Sequence, residues 1–515
     1  MTEPQHTIDC DVLVVGGGIN GAGIARDAAG RGLSVVLCEQ DDLAAHTSSA
    51  STKLIHGGLR YLEFYEFGLV RKALLEREVL LRSAPHIMRP LRFVMPHAQG
   101  QRPAWMIRAG LLLYDSLARR ELLPASAAIS LRCHPAGQPL KPDFTRGFVY
   151  SDGWVDDARL VVLNAIDACE RGATILTRTT CLSAQRGGER WQCLLDKADC
   201  GRIRVHARYL VNAAGPWTAA FLQAAAPQAQ ARQLRLIKGS HIVVPRLFEH
   251  DYAYIFQHRD GRIVFAIPYE QDYTLIGTTD LDYQGDPGQV AITPDEISYL
   301  CELVSEYFAR PVSPADVVWS YSGVRPLVED EAADARAVTR DYRLEVEQGE
   351  QGGAPLLSVF GGKITTFRKL AEEAGDLIAK ALGNRHGGWT AGACLPGGDL
   401  FGAAPQNRAV LEFGGWLREQ QLRYGWLPTP LVARYARAYG TRMHTLLAGR
   451  EAPGAMGAEI VAGLYAAEVD YLRRYEWARS AQDILWRRSK LGLHLPPGAA
   501  ARLQEWLEAH PLRKL

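Results

Sequence analysis

Near the N-terminus, Gly16-x-Gly18-x-x-Gly21 follows four apolar residues, Val12 to Val15, and opens an alanine-rich stretch from Ile24 to Ala29. Glycines at this spacing permit a tight strand-to-helix turn. They also let backbone N–H groups approach a pyrophosphate, which the helix N-terminus attracts. A second apolar run, Ser34 to Cys38, ends on Glu39, at about the twenty-residue spacing of an acid that binds a ribose hydroxyl. Strand, glycines, helix, strand and acid in this order read as a dinucleotide site, with Ile19 and Asn20 inside its turn.

Two more glycine turns follow apolar strands. Tyr209 to Ala213 runs into Ala214-Gly215, and Pro355 to Phe360 runs into Gly361-Gly362-Lys363, where a helix starts at Ile364 or Thr365 and continues to Lys380. Three such turns exceed what an NAD domain uses and suit a longer cofactor, FAD, stretched across a sheet. The small polar run Thr47-Ser48-Ser49-Ala-Ser-Thr-Lys53 leads into Leu54, His56 and Gly57. Its hydroxyls and bare N–H groups suit phosphates and ring edges, although alone it reads equally as a serine-rich surface loop.

The elements that must position these groups follow from periodicity. Leu69 to Leu81 and Asp156 to Cys169 repeat apolar residues at helical spacing, and Thr174 to Thr179 reads as a strand. From Leu236 the period becomes two. Ile237–Pro245, Ala253–Gln257, Arg262–Tyr269 and Tyr273–Thr279 form an antiparallel meander with turns at Asp260-Gly261 and Gln271-Asp272. Residues 86–147, rich in Pro and Arg, read as an irregular insertion. The expected fold is α/β: a Rossmann-like FAD-binding domain, discontinuous over 1–85, 148–230 and 321–390. An antiparallel-sheet substrate domain is inserted as 86–147 and 231–320, and an α-helical domain follows at 391–515.

The 515 residues are 47% hydrophobic and 22% charged, with a net charge of +1, so no global field draws nucleic acid. Nine cysteines show no metal-ligand spacing, which fits reduced thiols in a cytosolic compartment and implies no metal site. The N-terminus lacks a signal-like apolar region, and no apolar run reaches the ~18–20 residues that cross a bilayer. The longest, Trp105 to Tyr114, reads as a buried helix.

Longer motifs carry a resemblance. Thr47-Ser-Ser-Ala-Ser-Thr-Lys-Leu-Ile-His-Gly-Gly-Leu-Arg-Tyr-Leu-Glu63, Tyr150-Ser-Asp-Gly-Trp-Val-Asp-Asp-Ala-Arg159 and Val211-Asn-Ala-Ala-Gly-Pro-Trp217 lead the series. Ile237-Lys-Gly-Ser-His-Ile-Val-Val-Pro245, Ile276-Gly-Thr-Thr-Asp280, Tyr321-Ser-Gly-Val-Arg-Pro-Leu327, Phe360-Gly-Gly-Lys-Ile-Thr-Thr366 and Leu395-Pro-Gly-Gly398 complete it. Together they resemble the FAD-dependent, aerobic-type glycerol-3-phosphate dehydrogenases over essentially the whole chain. One departure is His46, where the family often has a small residue.

The resemblance implies oxidation of sn-glycerol 3-phosphate at C2 to dihydroxyacetone phosphate, with hydride passing to FAD and electrons to a membrane quinone. It also implies a homodimer bound peripherally to the inner face of the cell membrane. A dianionic phosphate calls for guanidinium forks and a lysine, and Arg60, Arg325, Arg340 and Lys363 stand in the motifs. Arg340 alone reads more readily as a surface ion pair than as a phosphate ligand. The alcohol proton needs a base, for which His241 and His56 are the candidates, His241 ahead because it belongs to the substrate sheet. Tyr61 is a candidate substrate partner, and Lys363 could also stabilise a reduced flavin.

Two other acceptors or substrates stay open: oxygen, as in an α-glycerophosphate oxidase, and an amino acid. A flavin-binding module without activity is the non-enzymatic alternative. The mixed aromatic and basic segments Arg473-Arg474-Tyr475, Trp477, Trp486-Arg487-Arg488 and Lys490 suit either a lipid surface or a solvated helix face.

Overall fold

The computed structural model describes residues 6–98, 101–227, 229, 234–257, 262–328, 341–349 and 353–511. Arg340 and the Asp260-Gly261 turn therefore lie outside the described residues.

The strand His6–Val15 ends in the apolar run and is flanked in parallel by Val35–Cys38 and Gly201–Asn212. Val12, Leu13 and Val14 are fully buried on both faces, as parallel strands covered by helices require. Thr174–Leu176 continues the sheet on one side, and Leu356–Phe360 with the antiparallel Arg343–Glu347 continues it on the other. The helix Ile19–Gly30 packs between the helices Asp157–Glu170 and Phe367–Leu382. Small residues allow that close fit: a Cβ on Gly23 would stand 3.0 Å from the Phe367 ring. Two buried arginines tie the layer together: Arg26 pairs with Asp167 at 2.5 Å, and Arg31, paired with Asp27 on its own helix, donates to the Glu372 carbonyl at 3.0 Å.

A second, ten-stranded sheet faces this unit. Its meander, Leu234–Pro245, Ala253–Gln257, Ile263–Tyr269 and Tyr273–Gly277, matches the two-residue period. The helix Pro294–Tyr307 covers one face and starts at a capping box between Thr293 and Glu296. Two expectations are corrected here. Residues 86–147 are not irregular: Met88–His97 is a strand inside the sheet, paired with Arg146–Val155 and, through Phe93 and Val94 alone, with Ala253–Gln257. Pro90 and Pro96 fall outside that short second pairing, so their missing N–H groups leave it intact. Residues 148–155 and 321–328, assigned above to the nucleotide domain, belong instead to this second sheet, because Arg146–Val155 pairs with Met88–His97 and Trp319–Val328 with Leu234–Pro245.

The Trp105–Tyr114 run does form a helix, Ala104–Ser116, but it is not buried: Leu111 and Tyr114 point inward while Trp105 and Leu112 are 71% and 52% exposed. Among the described residues no helix is long and apolar enough to cross a membrane.

Beyond residue 400 the chain is mainly helical, around its own apolar core. Several of its arginines look inward. Arg488 grips both oxygens of Asp42 at 2.8 and 2.9 Å, Arg487 adds a contact to Asp42 at 2.6 Å, and Arg159 reaches across to Glu476. Trp486 stacks on Trp319 at 4.1 Å. The Trp486–Lys490 segment is thus an internal seam rather than a lipid-facing one, since paired charges in a packed interface cannot also meet headgroups. Breaking a buried pair strands its partner, so Asp42→Ala should cost about 3–5 kcal/mol of stability. Urea unfolding of the variant, compared with Leu422→Ala at an exposed position, measures that loss.

Candidate functional site

The glycine turns converge at one edge of the parallel sheet. Gly16 adopts φ +112°, and a Cβ there would lie 2.4 Å from the Ala213 carbonyl; a Cβ on Gly21 would lie 1.9 Å from the Gly16 carbonyl. Only bare Cα atoms allow this stacking of two turns. The third turn joins them: the Asn20 side chain donates to the Gly361 carbonyl at 3.1 Å, and a Cβ on Gly362 would meet Asn20 at 2.8 Å. Ser48 accepts the Ile19 N–H at 3.0 Å, which brings the serine-rich loop against the start of the first helix.

Glu39 sits at the end of its strand. It accepts N–H bonds from Gly17 at 2.6 Å and Asp41 at 2.9 Å, while burial pushes its carboxyl pKa upward. Beside it His46, the departure noted above, pairs with Asp41 at 2.8 Å and meets Trp217 edge-on at 4.6 Å. A trough of about 440 Å³ runs along this edge and is lined by Gly16, Gly18, Glu39, Ala214 and Gly215.

The trough shares Ile19, Thr47, Ser48, Arg325, Gly361 and Gly362 with a second cavity of about 360 Å³ between the two sheets. There the structure brings together Leu54, His56, Arg60, Tyr61, His241, Arg325, Lys363 and Thr365, separated in sequence by more than 300 positions. The Lys363 ammonium lies 4.0 Å over the Tyr61 ring, and Thr365 accepts the His56 N–H at 3.2 Å.

His241 is 2% exposed; its Nε2 is 2.9 Å from the Thr52 hydroxyl, and its ring stacks on Tyr321 at 4.8 Å. Burial, then the positive charges of Lys53 and Arg325, push its pKa down to about 3, so the imidazole is neutral at working pH. Burial also lowers the pKa of His56, with Lys363 and Arg77 adding to the effect against Asp152.

Three residues of the expected site lie elsewhere. Lys53 sits behind the loop, on both oxygens of Asp157 at 2.8 and 2.9 Å, and lines neither cavity. Ser49 turns its hydroxyl to the His46 carbonyl at 3.2 Å. Gly57 is a packing glycine, where a Cβ would come within 2.4 Å of Leu74 and Tyr114. Sequence reasoning gave no role to Thr52, Arg262, Asp280 or Tyr321. Asp280 stood in a quoted motif, but only the sheet pairing shows that it faces Arg325.

The backbone cradles and the pinned Glu39 fit a pyrophosphate and a ribose. The model of FAD-dependent oxidoreductases matches residues 11–368. The chain belongs to that family. FAD is accordingly its cofactor. The glycerol-3-phosphate dehydrogenase of Pseudomonas aeruginosa is 55% identical over 98% of this chain and 96% of its own length. The D-erythritol 1-phosphate dehydrogenase of Brucella abortus is 49% identical over 99% of both. In solved structures, the glycerol-3-phosphate dehydrogenase of Bacillus halodurans, complexed with FAD, superposes with a TM-score of 0.71 at 26% identity. That match covers 98% of this chain and 96% of the other.

As a member of this family the chain should carry flavin through purification. Gly21→Ala, by driving a methyl into the Gly16 carbonyl, should leave less than about a tenth of the bound flavin. The ratio of flavin to protein absorbance after gel filtration checks it.

Proposed function

We propose that the protein oxidises sn-glycerol 3-phosphate at C2 to dihydroxyacetone phosphate and delivers the electrons to a membrane quinone. The observation that carries this reading is the cavity between the sheets, where Arg60, Arg325 and Lys363 face a buried, neutral His241 beside the FAD trough. FAD supplies the hydride acceptor. In this reading the three cations hold the phosphate, in place of the single arginine that a carboxylate substrate would need. Arg60 makes no ion pair among the described residues, so its charge is available.

His241 takes the C2 hydroxyl proton, and Thr52 keeps its ring in place. A base held near pKa 3 is weak, but part of that depression comes from Arg325. A phosphate on Arg325 offsets that charge and strengthens the base when substrate is present. His56, held through its N–H by Thr365, would be the histidine next to the flavin. Glu39 binds the adenosine ribose, and the turns at Gly16–Gly21, Ala214-Gly215 and Gly361-Gly362 hold the rest of the cofactor.

A second reading, a four-carbon polyol phosphate, is favoured by a cavity lining that also includes the polar side chains of Arg262 and Asp282. Turnover of glycerol 3-phosphate and erythritol 1-phosphate side by side ranks the two.

The quinone needs a lipid surface near the cavity mouth. The short helical segment Leu59–Phe64 carries Arg60 and Tyr61 into the cavity and Phe64 outward, with Tyr65 80% exposed just after it. The helix Ala104–Ser116 packs against this segment and adds Trp105, Met106, Leu112 and Leu113 to the same apolar surface. Exposed apolar side chains on two helical segments in contact suit the interfacial layer of a bilayer.

Two outcomes are expected. Anaerobic addition of glycerol 3-phosphate should bleach the flavin band, and a quinone analogue should restore it faster than air does. No bleaching overturns the substrate class; stoichiometric peroxide in air would instead support an oxidase. Trp105→Glu combined with Leu112→Glu should weaken cosedimentation with anionic vesicles at least about tenfold. Turnover with a soluble acceptor should be unchanged, and undiminished vesicle binding would remove this surface from the proposal.

A further inference from the structure

Arg325 does not stand open in the cavity. Its Nη2 donates to the Thr279 carbonyl at 3.1 Å and pairs with the Asp280 carboxylate, while Nε and Nη1 have no hydrogen-bond partner among the described residues. The strand pairing sets this arrangement. Arg325 lies opposite Ile237, and Thr278 to Asp280 follow the neighbouring strand Tyr273–Gly277. Gly239 keeps the space open, since a Cβ there would stand 2.8 Å from Arg325 Nη2 and 2.7 Å from the Thr278 hydroxyl.

Asp280 makes no other hydrogen bond among the described residues, and its side chain is 34% exposed to the cavity that it lines. A carboxylate there works against any anion bound to Arg325, Arg60 and Lys363. An enzyme that only needed to gather phosphate would lack it.

We propose that Asp280 is a specificity-determining residue: it holds Arg325 until a phosphoryl dianion displaces it, and then accepts a hydrogen bond from the substrate's terminal hydroxyl. The inference rests on the reading that Arg325 holds the phosphate. A dianion that can take two guanidinium donors at once outcompetes a carboxylate held through one nitrogen. The displaced carboxylate then needs a donor, because leaving it unpaired beside a bound ligand is costly. A polyol phosphate supplies both groups from one molecule. Inorganic phosphate supplies only the anion, and a phosphate ester without the terminal hydroxyl leaves Asp280 unpaired. Asp280 thus ties recognition of the two ends of the substrate together.

The test uses the FAD-loaded enzyme and its Asp280→Asn variant, with Asp280→Glu as a charge-keeping control and the flavin spectrum as a check on folding. Three probes are needed: glycerol 3-phosphate, propane-1,2-diol 1-phosphate, which keeps the secondary alcohol and the phosphate but lacks the terminal hydroxyl, and inorganic phosphate as inhibitor. Inorganic phosphate should inhibit Asp280→Asn about tenfold more strongly than the parent. The preference in kcat/KM for glycerol 3-phosphate over the deoxy ester should shrink by at least about tenfold. Unchanged inhibition overturns the hold on Arg325, and an unchanged preference overturns the contact with the hydroxyl. Arg325→Gln separates this from the underlying reading. If it leaves KM and phosphate inhibition untouched, the phosphate assignment itself fails. If it raises both constants while Asp280→Asn moves nothing, only the role of Asp280 fails.

Discussion

One buried charge pair joins the two sheets at the site. Lys53 places its ammonium on both oxygens of Asp157, at 2.8 and 2.9 Å, and on the Ser49 carbonyl at 3.1 Å. Asp157 opens the helix Asp157–Glu170 of the parallel-sheet unit, and its carboxylate also takes the Ser51 hydroxyl at 2.8 Å. Burial alone would raise the Asp157 pKa, but Lys53 and Lys490 outweigh it and hold the group ionised. The same ammonium lies 5.0 Å from the ring of Tyr321, in the second sheet, and that ring stacks on His241. The loop Thr47–Lys53, the cavity wall and the buried histidine therefore share one anchor. Either charge without the other would be stranded in a dry interior.

The cavity built on that anchor balances opposite demands. Cations gather where an anion must bind, yet Lys363 lowers the basicity of His56, and Lys53 and Arg325 lower that of His241. The arrangement suits a site whose base grows stronger as the anion arrives. These charges are felt most at His241 because its ring is buried.

The C-terminal unit shows how misleading composition is when read apart from packing. Its Arg and Trp residues have the makeup of a lipid-binding face, yet Arg487, Arg488 and Trp486 are spent on Asp42, Asp483, Glu476 and Trp319. The apolar surface lies instead on Ala104–Ser116, within a stretch that reads as irregular. Within that helix the Arg108 side chain folds back to donate to the Ser126 hydroxyl at 2.7 Å.

Local constraints were legible in the sequence. The turn at Gly16–Gly21 announces itself because only glycine survives a backbone approach of that closeness, and Gly361-Gly362 because both residues take positive φ. The apolar runs Val12–Val15 and Leu356–Phe360 read as covered parallel strands because both of their faces are dry. The β-branched and aromatic runs from Leu236 onward read as antiparallel strands, and the structure covers both of their faces. Whatever depends on partners distant in the chain was decided by tertiary structure. Lys53 was expected at the cofactor and went to Asp157; Met88–His97 joined a sheet that its prolines argued against; Asp280 faced Arg325 only through strand register. A residue's type and its near neighbours fix backbone geometry and solvent preference, whereas the partner of a charge is set by which elements pack together, 45 positions apart for Asp280 and Arg325 and 104 for Lys53 and Asp157.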